Sequence, residues 1–262
     1  MRVVTETGNG TGAPRGDARE FWIARGSMTT VNAVAPGCRH ARYESWTRGC
    51  LRDWMMRRAR RHLGRQCRRA VDLGCGFGDW TVQLAAMADD VVACDIAPGF
   101  VEETQRRLRD AGCPSATVSC EDVRSFAAYQ DADLVHVGAV LMYLDDEGCD
   151  EVLRRARERI ASDGVLLGRE WCAIRFGRAT VNRSPWFSVH RRARRYLELA
   201  EAAGFRAVES VSSPSIYGDV LACRMLGRDA APAWSRWLVG APWYAASLFW
   251  THGSVSFVMR PA

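Results

Sequence analysis

Apolar residues fall along this chain in short unbroken runs, such as VVAC before Asp95 and GVLLG before Arg169. Runs of this length are continuous rather than alternating, the mark of strands covered on both faces. They predict strands over 69–73, 91–95, 117–120, 132–138, 165–171, 207–212 and 254–259. Between them the apolar spacing shifts to a helical period, predicting helices over 80–88, 100–111, 149–161 and 192–203, the last stopped by Gly204. An earlier stretch, 43–63, sets Trp46, Cys50, Leu51, Trp54, Met55 and Ala59 on one stripe. It predicts a helix packed on the sheet just before the first strand, with Arg57, Arg58, Arg60 and Arg61 facing water. Such regular alternation of strand and helix predicts an α/β fold with a doubly wound, mostly parallel sheet. A ligand is then expected at the carboxyl ends of the strands, beside the first strand.

The connections at that edge carry the chemistry. AVDLGCGFGDWT, residues 70–81, reads as a buried strand that turns through Gly74, Gly76 and Gly78 into a helix near Asp79. Glycines at alternate positions strip the turn of side chains, so a ligand can lie against the backbone and the helix N-terminus. VVACDIAPGF, residues 91–100, is a second strand ending in Asp95, whose carboxylate can accept both hydroxyls of a ribose. Together they predict a nucleoside site. Asp72 bears on which nucleoside: a fixed negative charge beside the turn repels a pyrophosphate and favours an ammonium or a sulfonium. Asp79 also stands where the third small residue of a G-x-G-x-x-G/A turn belongs.

The pattern D-L-G-C-G-F-G resembles the first motif of the class I S-adenosylmethionine-dependent methyltransferases. The resemblance implies S-adenosyl-L-methionine as cofactor and a seven-stranded, Rossmann-like sheet closed by an antiparallel strand, for which SVSFVMRP is the candidate. It implies that Asp95 holds the ribose, with Ile96 beside it, and that Asp72 and Gly74 meet the ammonium end, with Cys75, Gly76 and Gly78 shaping the turn. Asp122 matches the position that accepts from the adenine amino group, Glu121 being the alternative one residue away, and the N–H of Val123 faces the ring. Gly138 and Ala139 fall under the methionine portion, and Trp46 and Arg48 of the leading helix are candidates to cover the cofactor and touch its carboxylate.

All 36 basic residues are arginine, for a formal charge of +6, so no lysine is available for catalysis. Ten cysteines include no C-x-x-C pair, and several sit in apolar runs, which suits a reducing cytoplasm. Residues 1–20 read as a disordered lead without a signal pattern, and 21–262 as one domain with a cap at about 217–253. That cap carries Trp234, Trp237, Trp243, Tyr244, Phe249 and Trp250. The apolar stretch 230–250 is broken by Pro232, Arg236 and Pro242, too interrupted to span a bilayer. A soluble protein is expected, its oligomeric state unread.

The acceptor is approached by exclusion. The turn after the fourth strand, Gly138-Ala139-Val140-Leu141, has neither the Asn/Asp-Pro-Pro-aromatic set of base amino-methylation nor the Pro-Cys of base C5 methylation. Without lysine, the set used in ribose methylation is impossible. The expectation is a small-molecule acceptor of secondary-metabolite or sugar type; an RNA or protein acceptor, an NAD(P)-dependent oxidoreductase and a non-catalytic relative stay as alternatives. Candidate proton-handling groups are Tyr143, Glu170 and His190, the last within SPWFSVHRR, which resembles a loop of many small-molecule methyltransferases. His136, in mid-strand, reads as a satisfied core histidine. No metal-ligand spacing is present in the sequence.

Overall fold

The computed structural model describes residues 17–27, 41–113, 115–174, 177–182, 187–212 and 252–262; for 17, 41–48, 50, 212 and 252 it describes the backbone only. Seven strands form one sheet: β1 (Cys67–Leu73), β2 (Ala88–Asp95), β3 (Ala116–Cys120), β4 (Ala132–Gly138), β5 (Ile160–Ala173), β8 (Phe205–Ser212) and β9 (His252–Pro261). Their order is β3-β2-β1-β4-β5-β9-β8. The first five run parallel, and β9 lies antiparallel between β5 and β8. The fold class, the strand set and the closing strand follow the sequence expectation. The chain leaves β1 toward β2 and β3, then returns to build outward from β4. The β1–β4 boundary is therefore the switch point at which a crevice opens.

Both faces of the sheet are covered, which is why its strands read as unbroken apolar runs. On one face α5 (Asp146–Arg159) and α6 (Ala193–Ala202) bury Val152, Leu153, Tyr196 and Leu199 against Val71, Val135 and Leu166. On the other, α2 (Ala41–Leu63) and α3 (Asp79–Ala85) bury Leu51, Trp54, Met55 and Leu84 against Ala70, Leu134 and Leu167. α4 (Pro98–Asp110) starts with proline in its first turn and packs Phe100 and Leu108 inward. Asp145 caps α5, accepting from the N–H of Gly148 at 2.8 Å.

Three features depart from the sequence reading. A helix, α1 (Asp17–Arg25), begins inside the stretch read as a disordered lead; residues 1–16 lie outside the described residues. A two-stranded hairpin, β6 (Thr180–Asn182) with β7 (Ser188–His190), occupies the long connection after β5. Arg58 does not face water: it is 5 % exposed, its guanidinium lies 3.7 Å from the centre of the Trp54 ring, and its Nε donates to Glu209 at 2.7 Å. A helical arginine can lie along apolar surface when a carboxylate and an aromatic face await its head. The aromatic cap lies almost wholly in 213–251, outside the described residues. Among the described residues no helix is long and apolar enough to cross a membrane.

Candidate active site

The turn after β1 takes its shape from its glycines. Gly74, Gly76 and Gly78 have φ of 78°, 53° and 76°, the left-handed region in which a side chain is strained. A Cβ on Gly74 would also come within 2.3 Å of Val140, and one on Gly78 within 2.8 Å of Thr104. The N–H groups of Gly74 and Cys75 both reach the carbonyl of Cys94 at 2.9 Å, tying the turn to β2. Thr104 donates to the carbonyl of Gly76 at 2.8 Å. The backbone is thus drawn flat along the strand ends.

A cavity lies over that flat backbone. Ile96, Asp122 and Val123 border it beyond β2 and β3, Gly74 to Phe77 floor it, and Gly138 and Ala139 extend it to β4. Trp22 of α1, Leu51 and Arg52 of α2, Tyr143 and Phe187 stand on its wall. α1 is fastened there by aromatic packing: Trp22 meets Tyr143 edge-on at 4.9 Å and Phe100 at 6.3 Å. The end of α1 also presses on α4, since a Cβ on Gly99 would stand 2.1 Å from the carbonyl oxygen of Gly26.

Asp95 is 8 % exposed and borders the cavity. One of its oxygens accepts from Gly76 N–H at 2.9 Å and the other from Ala97 N–H at 3.0 Å. Burial pushes its carboxyl above the ordinary value, partly offset by those N–H bonds. A carboxylate offers about four lone-pair sites, so lone pairs remain for two ligand hydroxyls. Asp122 also borders the cavity, but its carboxylate is engaged by Arg124, at 2.5 Å through Nη2 and 3.0 Å through Nε. Burial acts to raise the pKa of Asp122, and the Arg124 bonds outweigh it, leaving the group below the ordinary carboxylate range. Glu121 is exposed and does not line the cavity.

Four expectations need correction. Asp72 does not reach the cavity: it is fully buried, and its oxygens accept from Thr81 Oγ1 at 2.6 Å and face His136 Nδ1 at 2.7 Å. The strand pleat turns its side chain under α3 rather than over the edge. His136, read as satisfied, has its Nε2 buried without a hydrogen-bond partner. Glu170 is 1 % exposed and receives the N–H groups of Val140, Leu141 and Met142 at 3.0 to 3.2 Å. It anchors the turn after β4 from below instead of facing an acceptor. His190 ends β7, half-buried and outside the cavity lining, whereas Phe187, three residues earlier, is part of it. Of the three proton-handling candidates only Tyr143 lines the cavity. Trp46 and Arg48 fall in the first half of α2, where side chains lie outside the described residues.

The turn after β4 is strained. Ala139 has φ of 56°, uncommon for a residue with a side chain, and its N–H reaches the carbonyl of Arg169 at 2.7 Å. Glu170 secures the following three N–H groups, and buried Arg191 binds the carbonyls of Leu141 and Leu144 at 3.0 and 2.8 Å. Arg191 pairs with Asp146 at 2.7 Å as well. Sequence reading missed Trp22, Arg52 and Arg191. Arg52 stands one helical turn beyond Arg48, a signal that the spacing contained.

The donor set suits a nucleoside that carries an amino-acid tail. Arg52 has its Nε buried without a partner, and so does the indole Nε1 of Trp22; both residues line the cavity. Unmade buried donors of this kind are costly unless a ligand supplies the acceptor. Asp95 offers acceptors for hydroxyls, and the glycine floor leaves room for a ligand to lie flat.

Comparison with known proteins agrees. Residues 70–164 match the model of a methyltransferase domain family. A trans-aconitate 2-methyltransferase of Rhodococcus jostii is 40 % identical over 93 residues, 35 % of this chain and 33 % of that protein. A ubiquinone biosynthesis O-methyltransferase of Azorhizobium caulinodans is 27 % identical over 156 residues, 56 % of each chain. The chain spans about a third of the length of the first curated relatives it matches. A structurally solved S-adenosylmethionine-dependent methyltransferase of Leishmania major shares the fold, with a TM-score of 0.65 and 17 % identity over 94 % of this chain and 82 % of that one. Residues 70–164 are thus similar to a methyltransferase domain, set in a sheet that shares the fold of that S-adenosylmethionine-dependent enzyme.

Proposed function

We propose that the protein transfers a methyl group from S-adenosylmethionine to a small-molecule acceptor by a single in-line displacement. The observation that carries this reading is the cavity itself, with bare glycine backbone for its floor, spare carboxylate lone pairs on Asp95 and unpaired donors on Arg52 and Trp22. When bound, the cofactor supplies an electrophilic methyl on a sulfonium. The residues of the chain position it: Asp95 takes the ribose hydroxyls, Val123 and Ile96 border the adenine, and Arg52 takes the carboxylate of the tail. Displacement at a methyl carbon requires little beyond alignment of the two partners. Tyr143, on the cavity wall beside Trp22, is the group placed to hold or move a proton of the acceptor.

A small acceptor is supported by relatives named for small-molecule methylation. A cytoplasmic setting is supported by five free, buried cysteines (Cys67, Cys75, Cys94, Cys149 and Cys172) that behave as small apolar groups. The test is incubation with methyl-labelled S-adenosylmethionine and a cell extract, followed by separation by size. Label in the low-mass fraction is expected. Label that stays on RNA or protein overturns the small-acceptor reading.

A further inference from the structure

Directly beneath the cavity floor lies a buried acid–imidazole pair. Asp72 and His136 are register partners on β1 and β4, at most 1 % exposed, with Oδ1 and Nδ1 2.7 Å apart. Thr81 donates to the other oxygen of Asp72 at 2.6 Å, and Trp80 stacks on the imidazole at 4.3 Å and 25°. A carboxylate only accepts, so a ring proton belongs on Nδ1, and the tautomer with that proton presents a lone pair at Nε2. Among the described residues no group hydrogen-bonds that Nε2.

Its direction is given by a glycine. A Cβ on Gly138 would stand 2.9 Å from both Nε2 and Cε1 of His136, and the next nearest atom, the carbonyl oxygen of Arg169, would be 3.9 Å away. Gly138 itself lines the cavity. The missing side chain therefore lets the Nε2–Cε1 edge of the imidazole, itself buried, lie against backbone that lines the cavity, with a carboxylate behind the ring. A donor, and above all a cation, is what such an edge suits. A phosphate would bring only acceptors to it.

We propose that His136 Nε2 accepts a hydrogen bond from the α-ammonium of S-adenosylmethionine, with Asp72 holding the imidazole in the accepting tautomer. This rests on the cofactor reading above. With the ribose at the end of β2 and the glycine turn at β1, the amino-acid tail runs on toward β4, two strand spacings or roughly 10 Å from β2. Asp72 then acts on the ammonium through the imidazole, a positioning residue without ligand contact.

The test is calorimetric titration of S-adenosylhomocysteine and of 5′-methylthioadenosine, a nucleoside thioether without the amino-acid tail, into the wild type, His136→Phe and Gly138→Ala. Phe keeps a flat ring against Trp80 but has no acceptor, and Ala sets a methyl 2.9 Å from Nε2 and Cε1 of His136, so that the ring edge must give way. Each variant should bind S-adenosylhomocysteine roughly 10- to 100-fold more weakly, the range for a hydrogen bond to a charged group. Methylthioadenosine affinity should stay within about twofold. In the wild type labelled with ¹⁵N-histidine, the Nε2 resonance of His136 should move on addition of S-adenosylhomocysteine and not of methylthioadenosine, a readout that needs no variant to fold. Unchanged affinity for S-adenosylhomocysteine, equal loss of both ligands, or an unmoved Nε2 resonance overturns the assignment and leaves the cofactor reading standing. A wild type that binds neither ligand overturns both.

Discussion

Tyr143 and Trp22 stand edge to face at 4.9 Å on the cavity wall, one with a phenol and the other with an unpaired indole N–H. Their packing makes the wall rigid, while the indole N–H of Trp22 is available to a ligand. Of the three groups that the sequence offered for proton handling, Glu170 is spent on backbone N–H groups and His190 lies off the cavity, which leaves the phenol. Tyr143→Phe keeps the ring against Trp22 and removes the hydroxyl. Turnover should fall roughly 100-fold or more if the hydroxyl handles the acceptor proton. Affinity for S-adenosylhomocysteine should be nearly unchanged. Steady-state kinetics beside calorimetry separates the two effects, and full turnover in the variant removes Tyr143 from the chemistry.

At the scale of elements, the turn after β4 is held in an unfavourable conformation by neighbours on every side. Ala139 takes a left-handed φ, and Glu170 and Arg191 fasten the residues that follow. Burial pushes the Glu170 carboxyl up to about 7, the three N–H bonds and Arg191 partly offsetting it. In the unfolded chain the same group titrates near its ordinary value of 4.5. The native state therefore keeps a proton between about pH 4.5 and 7 that the unfolded state releases. Its contribution to stability is full below 4.5 and is lost as pH rises through 7. Asp95, raised by burial, acts in the same sense. Urea unfolding at steps from pH 5 to 8 should show stability declining across this window, and Glu170→Gln should flatten the decline. A variant with an undiminished slope would show that Glu170 titrates like an exposed carboxyl.

Across the whole molecule, what could be read in the sequence was local. Two-sided burial makes β1, β2 and β4 legible as apolar runs, and three alternate glycines make the turn legible because only that backbone shape requires them. Asp95 was legible from its place at a strand end. What escaped depends on contacts between distant segments. Arg58 is buried because Glu209, 151 residues away, meets it. Asp72 turns inward because His136 and Thr81 await it, so the charge expected at the cavity is buried away from it. DAREFWIAR bunches its apolar residues at 21–24 instead of spacing them at a helical period, so it does not announce α1, whose Trp22 finds its partners on α4 and after β4.

The account turns on whether the cavity over the glycine turn is a nucleoside site organised by Asp95. Calorimetric titration of S-adenosylhomocysteine into the wild type and Asp95→Ala tests it most directly, with NADH as the competing ligand and thermal unfolding as the check on folding. The wild type should bind S-adenosylhomocysteine and not NADH, and the variant should lose about 1.5–3 kcal/mol, the loss of hydrogen bonds made by a charged group. Unchanged affinity in a folded Asp95→Ala, or tight NADH binding by the wild type, would contradict it.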